Sequence, residues 1–189
     1  VTGVVVQRND SERPTYSSRG YAIDNFQIDG MLNTFSGLKS DSDTIIYDRI
    51  EVVRGATGLL TGVGEPSASI NLVRKHANAR ELTGSINGGI GSWNKRFLTT
   101  DVSTPLTSAG TVRARIVAKK ELSDSFRDLA QEDKTVLYGV LDADLSNSMT
   151  LSLGSSYQDN QPEGSTWGDW GADDQLGRLN LITAEKVRQ

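Results

Sequence analysis

The chain contains no cysteine and a single histidine, His76, among its 189 residues. A zinc, haem or iron–sulfur centre built from its own side chains is therefore nearly excluded. There is no Gly-Xaa-Ser-Xaa-Gly elbow, and one histidine beside a polar link makes a weak triad member. Asp41, Asp43 and Asp48 are too sparse for a calcium loop and lack its central glycine, so they read as a solvated loop. No run of eighteen apolar residues occurs, so no membrane-spanning helix is expected. The opening VTGVVVQRND lacks the basic region and long apolar core of a signal peptide. Lys, Arg, Asp and Glu are interspersed at a net charge of -4, with no basic stripe, which argues against nucleic acid as a partner. Apolar content is 36% and mean hydropathy is -0.39. Such values normally indicate a soluble protein, unless alternate residues of a β-barrel face lipid.

Of what is present, residues 47–78 organise the rest: YDRIEVVRGATGLLTGVGEPSASINLVRKHAN. A β-branched run, Ile50 to Val53, and an apolar run, Ser69 to Val73, flank Gly55, Gly58, Gly62, Gly64 and Pro66. This order predicts strand, glycine-punctuated turn, strand. A phosphate cradle is the rival, but no Gly-Lys-Ser/Thr closes the loop, and the dinucleotide fingerprint fails at Ser67. Upstream, Val4-Val5-Val6 is a buried-strand candidate, with a turn at Asn9-Asp10-Ser11. Tyr21-Ala22-Ile23 and Phe26-Gln27-Ile28 flank Asp24-Asn25 as a hairpin, and Asp29-Gly30 turns the chain again. Residues 31–46 are a polar connection, ending in a helical turn over 44–48 capped by Asp43.

From Leu82 the pattern alternates with period two. In Val112 to Lys119 the even positions are apolar and three of the odd ones are basic, so a strand places them on opposite faces. Comparable runs cover 83–92, 96–106, 134–145 and 148–158; in the last, Met149, Leu151, Leu153 and Tyr157 share a face. Thr107 to Gly110 and Ser146-Asn147-Ser148 are short turns, whereas 123–133 and the residues after Gln158 are longer and polar. Short turns at one end and long loops at the other fit an outer-membrane barrel. A soluble β-sandwich would share the alternation.

The 47–78 stretch resembles the C-terminal half of the plug domain of TonB-dependent outer-membrane receptors. Ser18-Arg19-Gly20-Tyr21 and Phe26-Gln27-Ile28-Asp29-Gly30 are similar to two further motifs of that family, in order and spacing, so the resemblance covers residues 1–78. Pro66-Ser67-Ala68-Ser69 with Val73-Arg74-Lys75 resembles the ferric-siderophore branch, of hydroxamate and pyoverdine type. The resemblance implies a mainly β architecture: an α+β plug (1–78), then from 79 to 189 the first antiparallel strands of a 22-stranded transmembrane barrel. About five strands are countable here, so an incomplete barrel is expected, lacking signal peptide and coupling box, and unable to span a membrane alone because its edges would be unpaired. Glu163 to Gly168 resembles the first long extracellular loop of pyoverdine and ferrioxamine receptors; 169–189 departs from the family pattern.

The implied function is uptake of a ferric siderophore, driven by a TonB-type periplasmic protein, in the Gram-negative outer membrane, with outer-membrane lipid around the barrel. Iron arrives wrapped in its chelator, and no cofactor held by protein side chains is expected. Cargo of another kind, such as vitamin B12 or a glycan, and a soluble all-β binding module are the alternatives; an enzyme is the least supported. Siderophore contacts need aromatic faces and a cation. Arg8 matches the family's apical arginine by spacing, with Gln7 beside it; Phe35 and Leu38 fall near a second contact loop. Tyr16 is a candidate on composition alone, and Trp93, Trp167 and Trp170 lie in expected loops, with an interfacial aromatic girdle as their other reading. Arg19, Glu51, Arg54 and Arg74 are expected to pair with one another or with lumen charges such as Arg113 and Arg115.

Overall fold

A computed structural model describes residues 3–8, 14–33, 43–55, 66–124, 131–146 and 148–163, with Arg8 and 161–163 described by their backbone alone. The described residues are mainly strand, as the alternation predicts. They form three sheets.

The first sheet joins β1 (Val5–Arg8), β2 (Pro14–Ser18) and β3 (Tyr21–Ala22) in antiparallel order. Ser18 pairs with Tyr21 across Arg19-Gly20, both at positive φ (55° and 85°), the geometry whose twist suits a two-residue hairpin. The expectation that Val4-Val5-Val6 is a buried strand is corrected in part: β1 forms, but as an edge strand with Val5 and Val6 exposed. Only Val4 packs inward.

The second sheet has the order β5-β4-β7-β6, from β4 (Asn25–Ile28), β5 (Met31–Leu32), β6 (Tyr47–Arg54) and β7 (Ala68–Arg74). β6 and β7 pair antiparallel across the glycine-rich stretch, as predicted, though 56–65 lie outside the described residues. The hairpin expected at Asp24-Asn25 does not form. Ala22 pairs back onto Ser17, while Asn25 to Ile28 run parallel to Ser69 to Leu72. Local sequence favours the short turn, but the parallel pairing seats Phe26 beside Ile23, Ala68 and Ile70 in a buried cluster, and that burial outweighs it. Asp29 (φ 50°) and Gly30 (φ 79°) make the β4–β5 turn. A Cβ on Gly30 would meet nothing within 4 Å, so its cost is backbone strain alone. Gly30→Ala is expected to lower stability by about 1 kcal/mol, read as a shift of the unfolding midpoint in denaturant.

Asp43 caps a 3-10 turn, Thr44–Ile46, its Oδ1 accepting from the Ile45 amide at 2.9 Å. The turn is two residues shorter than the expected 44–48, because Tyr47 is already extended and opens β6.

The third sheet is a five-stranded antiparallel meander of β8 (Thr83–Ile90), β9 (Arg96–Pro105), β10 (Val112–Asp124), β11 (Gln131–Ser146) and β12 (Met149–Glu163). Two strands outrun their hydrophobic pattern. The long loop expected over 123–133 is corrected at both ends, because Ser123 and Asp124 still pair with Glu132 and Gln131; 125–130 lie outside the described residues. β12 likewise continues to Glu163 instead of ending at Gln158. Ladders are made by backbone groups, so polar side chains at a strand end do not stop them. The two faces differ as period two requires: on β10, Ile116 is 63% exposed and its neighbour Val117 0%. Leu98, Leu137, Leu141, Leu153 and Tyr157 share the exposed face, in register with Ile116 and its even-numbered neighbours. No helix among the described residues is long and apolar enough to cross a membrane.

Candidate functional site

The opposite face of the meander carries the second sheet and the link that follows it. Val117, Val136, Tyr138 and Val140 form one buried cluster with Ile46, Tyr47 and Ala77. Around this dry patch, alternation places charges at fixed heights. Arg113, Arg115, Val117, Lys119 and Glu121 lie on one face of β10, and Val136, Tyr138, Val140, Asp142 and Asp144 face the same way on β11.

Four of these side chains hold the main chain of three consecutive residues. The Tyr138 hydroxyl donates to the Lys75 carbonyl at 2.7 Å, and Arg115 Nη1 to the His76 carbonyl at 3.1 Å. Arg113 Nε donates to the Ala77 carbonyl at 2.8 Å, and the Ala77 amide donates to Asp142 Oδ2 at 2.7 Å. The link is thereby supplied with the partners that an irregular segment would otherwise lack.

The guanidinium groups are neutralised as they do this. Arg115 grips Asp101 through Nε and Nη2 at 2.7 and 2.8 Å, and Lys75 Nζ reaches the same carboxylate at 2.8 Å. Arg113 forks onto Asp144 at 2.6 and 2.8 Å. A second contact lies at the 3-10 turn, where Lys119 Nζ donates to Asp43 Oδ2 at 2.6 Å and the Asp43 amide donates to Gln158 Oε1 at 3.1 Å. Half-buried charges persist only with such partners. Asp142 Oδ1 is the one buried side-chain polar atom without a hydrogen bond among the described residues, although His76 Nδ1 stands 3.4 Å from Oδ2.

Several nominated ion-pair residues turn out to be engaged inside their own sheet. Arg74 pairs with Asp29, Nε to Oδ2 at 2.7 Å, with its amide on Oδ1 at 2.8 Å. Burial alone would raise Asp29, but the amide and guanidinium of Arg74 outweigh it and hold the carboxyl below its ordinary value. A depressed folded-state value means that the stabilisation is present above the ordinary carboxylate range and is lost as pH falls through the folded value. Asp29→Asn should therefore show its full stability deficit above about pH 5, and the deficit should shrink as pH falls below the ordinary carboxylate range, measured as unfolding midpoints against pH. Glu51 bonds Arg49 and Asn71, each at 2.8 Å, on an exposed surface. Arg54 ends β6 and is exposed, as is Arg19 in its turn. Arg113 and Arg115 do reach the link, but through its carbonyls; the cation that the link itself sends to the meander is Lys75.

Of the nominated ligand residues that are described, Gln7, Arg8 and Tyr16 lie on the paired strands β1 and β2, and Trp93 lies on the meander. Gln7 is exposed on β1, and Arg8 is placed by its backbone, opposite Pro14. Tyr16 stands edge-on to Phe26, centroids 5.5 Å apart, as packing for the buried cluster. Trp93 is 59% exposed in the β8–β9 turn at positive φ, its carbonyl accepting from the Asp124 amide at 2.8 Å. Phe35, Leu38, Trp167 and Trp170 lie outside the described residues. One open cavity of about 490 Å³ is lined by Ile28, Ile46, Tyr47, Arg74, Val136 and Gln158 among others, and by none of the nominated ligand residues. No group of three or more His, Asp or Glu among the described residues could hold a metal ion.

Sequence reasoning placed Asp43 as a cap and Lys119 on the basic face of β10 but missed the pair they make, and it missed the contacts of Lys75, Asp101, Tyr138, Asp142 and Asp144. The available signal was phase: Asp142 and Asp144 continue the alternation of Val136, Tyr138 and Val140.

No family model matches the chain. It is 43% identical over 187 residues to the ferripyoverdine receptor of Pseudomonas aeruginosa, covering 96% of this chain and 23% of the relative. Among solved structures it is similar to the pyoverdine outer membrane receptor FpvA of Pseudomonas aeruginosa PAO1 bound to pyoverdine, with a TM-score of 0.78 and 44% identity over 87% of this chain and 25% of that one. It is also similar to the alcaligin outer membrane receptor FauA of Bordetella pertussis, with a TM-score of 0.73 and 40% identity over 85% of this chain and 28% of that one. The chain thus spans about a quarter of the length of the relatives that it matches.

Proposed function

We propose, from the premise that this chain is a segment of a TonB-dependent outer-membrane siderophore receptor, that the intact protein imports a ferric siderophore of pyoverdine type. The observation that carries the reading is the 43% identity to a ferripyoverdine receptor across 96% of the chain. The sheet geometry agrees with it: a charged and plug-filled inner face, and an apolar outer face suited to lipid. Residues 1–78 are read as plug and 79–189 as the start of the barrel. A TonB-type protein supplies the pull, and the chelate itself carries the iron. Gln7, Arg8, Tyr16, Phe35, Leu38, Trp93 and Trp167 remain the proposed siderophore contacts. A receptor for another siderophore is the second reading, favoured by the near-equal identity, 40%, to the alcaligin receptor.

The test is growth of an iron-starved strain, deleted for its own siderophore receptors and producing the intact protein, on ferric pyoverdines and on ferric alcaligin. Growth on a pyoverdine that stops when the coupling protein is deleted is the expected result. Growth on alcaligin alone moves the second reading to first place, and growth on neither, with receptor present at the surface, overturns both.

A further inference from the structure

The apolar outer face of the meander changes character at one end. Along β10 it runs from Val112 to Leu122, ten residue steps. At about 3.3 Å per step and a tilt of about 40°, that is about 25 Å of depth, the height of a barrel's apolar band. The described charged side chains on this face of the strands, Arg96, Lys120, Asp124, Asp133 and Asp159, all lie toward the Leu122 end. There β12 is followed by residues 164–189, whereas at the opposite end β11 and β12 join between Ser146 and Met149. Long connections face outward and short turns face the periplasm, so the Leu122 end is the outer-leaflet edge.

Arg96 opens β9 at that edge. Its neighbours across the two ladders are Ile90 and Leu122, both exposed and apolar. Arg96 is itself exposed, and among the described residues its guanidinium has no hydrogen bond or ion pair. Every other lysine and arginine described in the meander has a partner; Lys120 is held by Asp133 and Thr135. Asp124, two residues on from Leu122, accepts from Asn94 Nδ2 at 2.6 Å instead of pairing with Arg96.

We infer that Arg96 anchors a lipid site on the outer face: its guanidinium takes a phosphate monoester of an outer-leaflet glycolipid, and Ile90, Leu98 and Leu122 lie along the acyl chains. A free guanidinium presents a planar fork that matches two phosphate oxygens at once. Headgroup phosphates lie at the depth where the apolar band ends, and they attract cations placed there. Lys120 adds only longer-range attraction, because Asp133 already neutralises it. The site depends on the outer-membrane location and not on which chelate is carried.

The intact receptor in detergent is mixed with diphosphoryl lipid A or with the same lipid dephosphorylated, and bound lipid is counted by native mass spectrometry. The parent should bind the phosphorylated lipid at least threefold more tightly, and Arg96→Gln should bring it down to the level of the dephosphorylated one. Arg80→Gln removes an exposed arginine beside Gly110, at the other end of the sheet, and should bind as the parent does. Inorganic phosphate in tenfold excess should not displace the lipid. A smaller effect of Arg96→Gln, an equal loss in Arg80→Gln, or displacement by inorganic phosphate overturns the site. Should Arg96→Gln fail to fold, the parent's choice between the two lipids decides, and equal binding of both overturns the inference.

Discussion

Asp142→Ala is expected to destabilise the docked plug by about 3 kcal/mol, whereas Asp142→Asn changes it by about 1 kcal/mol or less. The carboxylate is 2% exposed and its Oδ2 is the acceptor for the Ala77 amide. Truncation to alanine leaves a buried N–H without a partner, worth about 1–3 kcal/mol. It also removes a counter-charge near Arg113, and losing one side of a buried charge arrangement costs about 3–5 kcal/mol. Against this stands the relief of a buried anion whose other oxygen has no hydrogen bond. That relief is why the total stays near the lower figure. Asparagine keeps the acceptor at Ala77 and drops the poorly satisfied charge, so the two variants separate the hydrogen bond from the charge. Denaturant unfolding of the intact receptor in detergent, followed by plug-specific amide exchange, reads the difference. If alanine behaves like the parent, the clamp holds nothing; if asparagine is as damaging as alanine, the charge and not the hydrogen bond carries the effect.

How far the molecule was legible from its sequence follows from where the decisive contacts lie. The meander was readable because each strand carries its own instruction: Ile116 and Val117 are neighbours in sequence, and period two alone puts them on opposite faces. The β6–β7 pair and the Asp29-Gly30 turn were readable for the same local reason. The Asp24-Asn25 hairpin failed because β4 takes its partner from β7, over forty residues away, and nothing local announces a parallel pairing. The strand ends at Asp124 and Gln131 were missed because hydrophobicity marks burial, whereas backbone pairing marks strands.

The site was less legible than the fold. Arg113 and Arg115 were recognisable as inward-facing, but the groups that they grip are carbonyls of His76 and Ala77, and a carbonyl has no sequence signature. Asp43 was read as one acid of a solvated loop but is buried and paired with Lys119, and Asp101, Asp142 and Asp144 drew no reading, since a buried carboxylate and an exposed one are spelled alike. Arg74 was expected to pair with Arg19, Glu51 or Arg54 or with lumen charges, and instead closes the β4–β5 turn through Asp29. That ion pair depends on the parallel pairing that the sequence concealed, so the missed topology misplaced Arg74. Trp93 was correctly set in a turn, yet its exposure there does not distinguish a ligand contact from an aromatic at a membrane interface.

The sharpest test of the membrane reading uses that legible pair on β10. Ile116→Arg leaves the inner face untouched and places a cation on the face shared by Leu98, Leu137, Leu141 and Leu153. In lipid, arginine at mid-depth on a barrel's outer face costs about 2–4 kcal/mol. On a water-facing sheet the same change usually falls within about 0.5 kcal/mol. Val117→Arg is the internal control, because it breaks the buried cluster of Tyr47, Val136 and Val140 in either setting. The intact protein refolded into bilayers should lose yield or stability with Ile116→Arg, and more with Val117→Arg. A soluble β-sandwich would instead tolerate the first and not the second. Tolerance of Ile116→Arg in bilayers would mean that this apolar face is covered by protein or water, and the barrel would have to close around a different surface of the sheet.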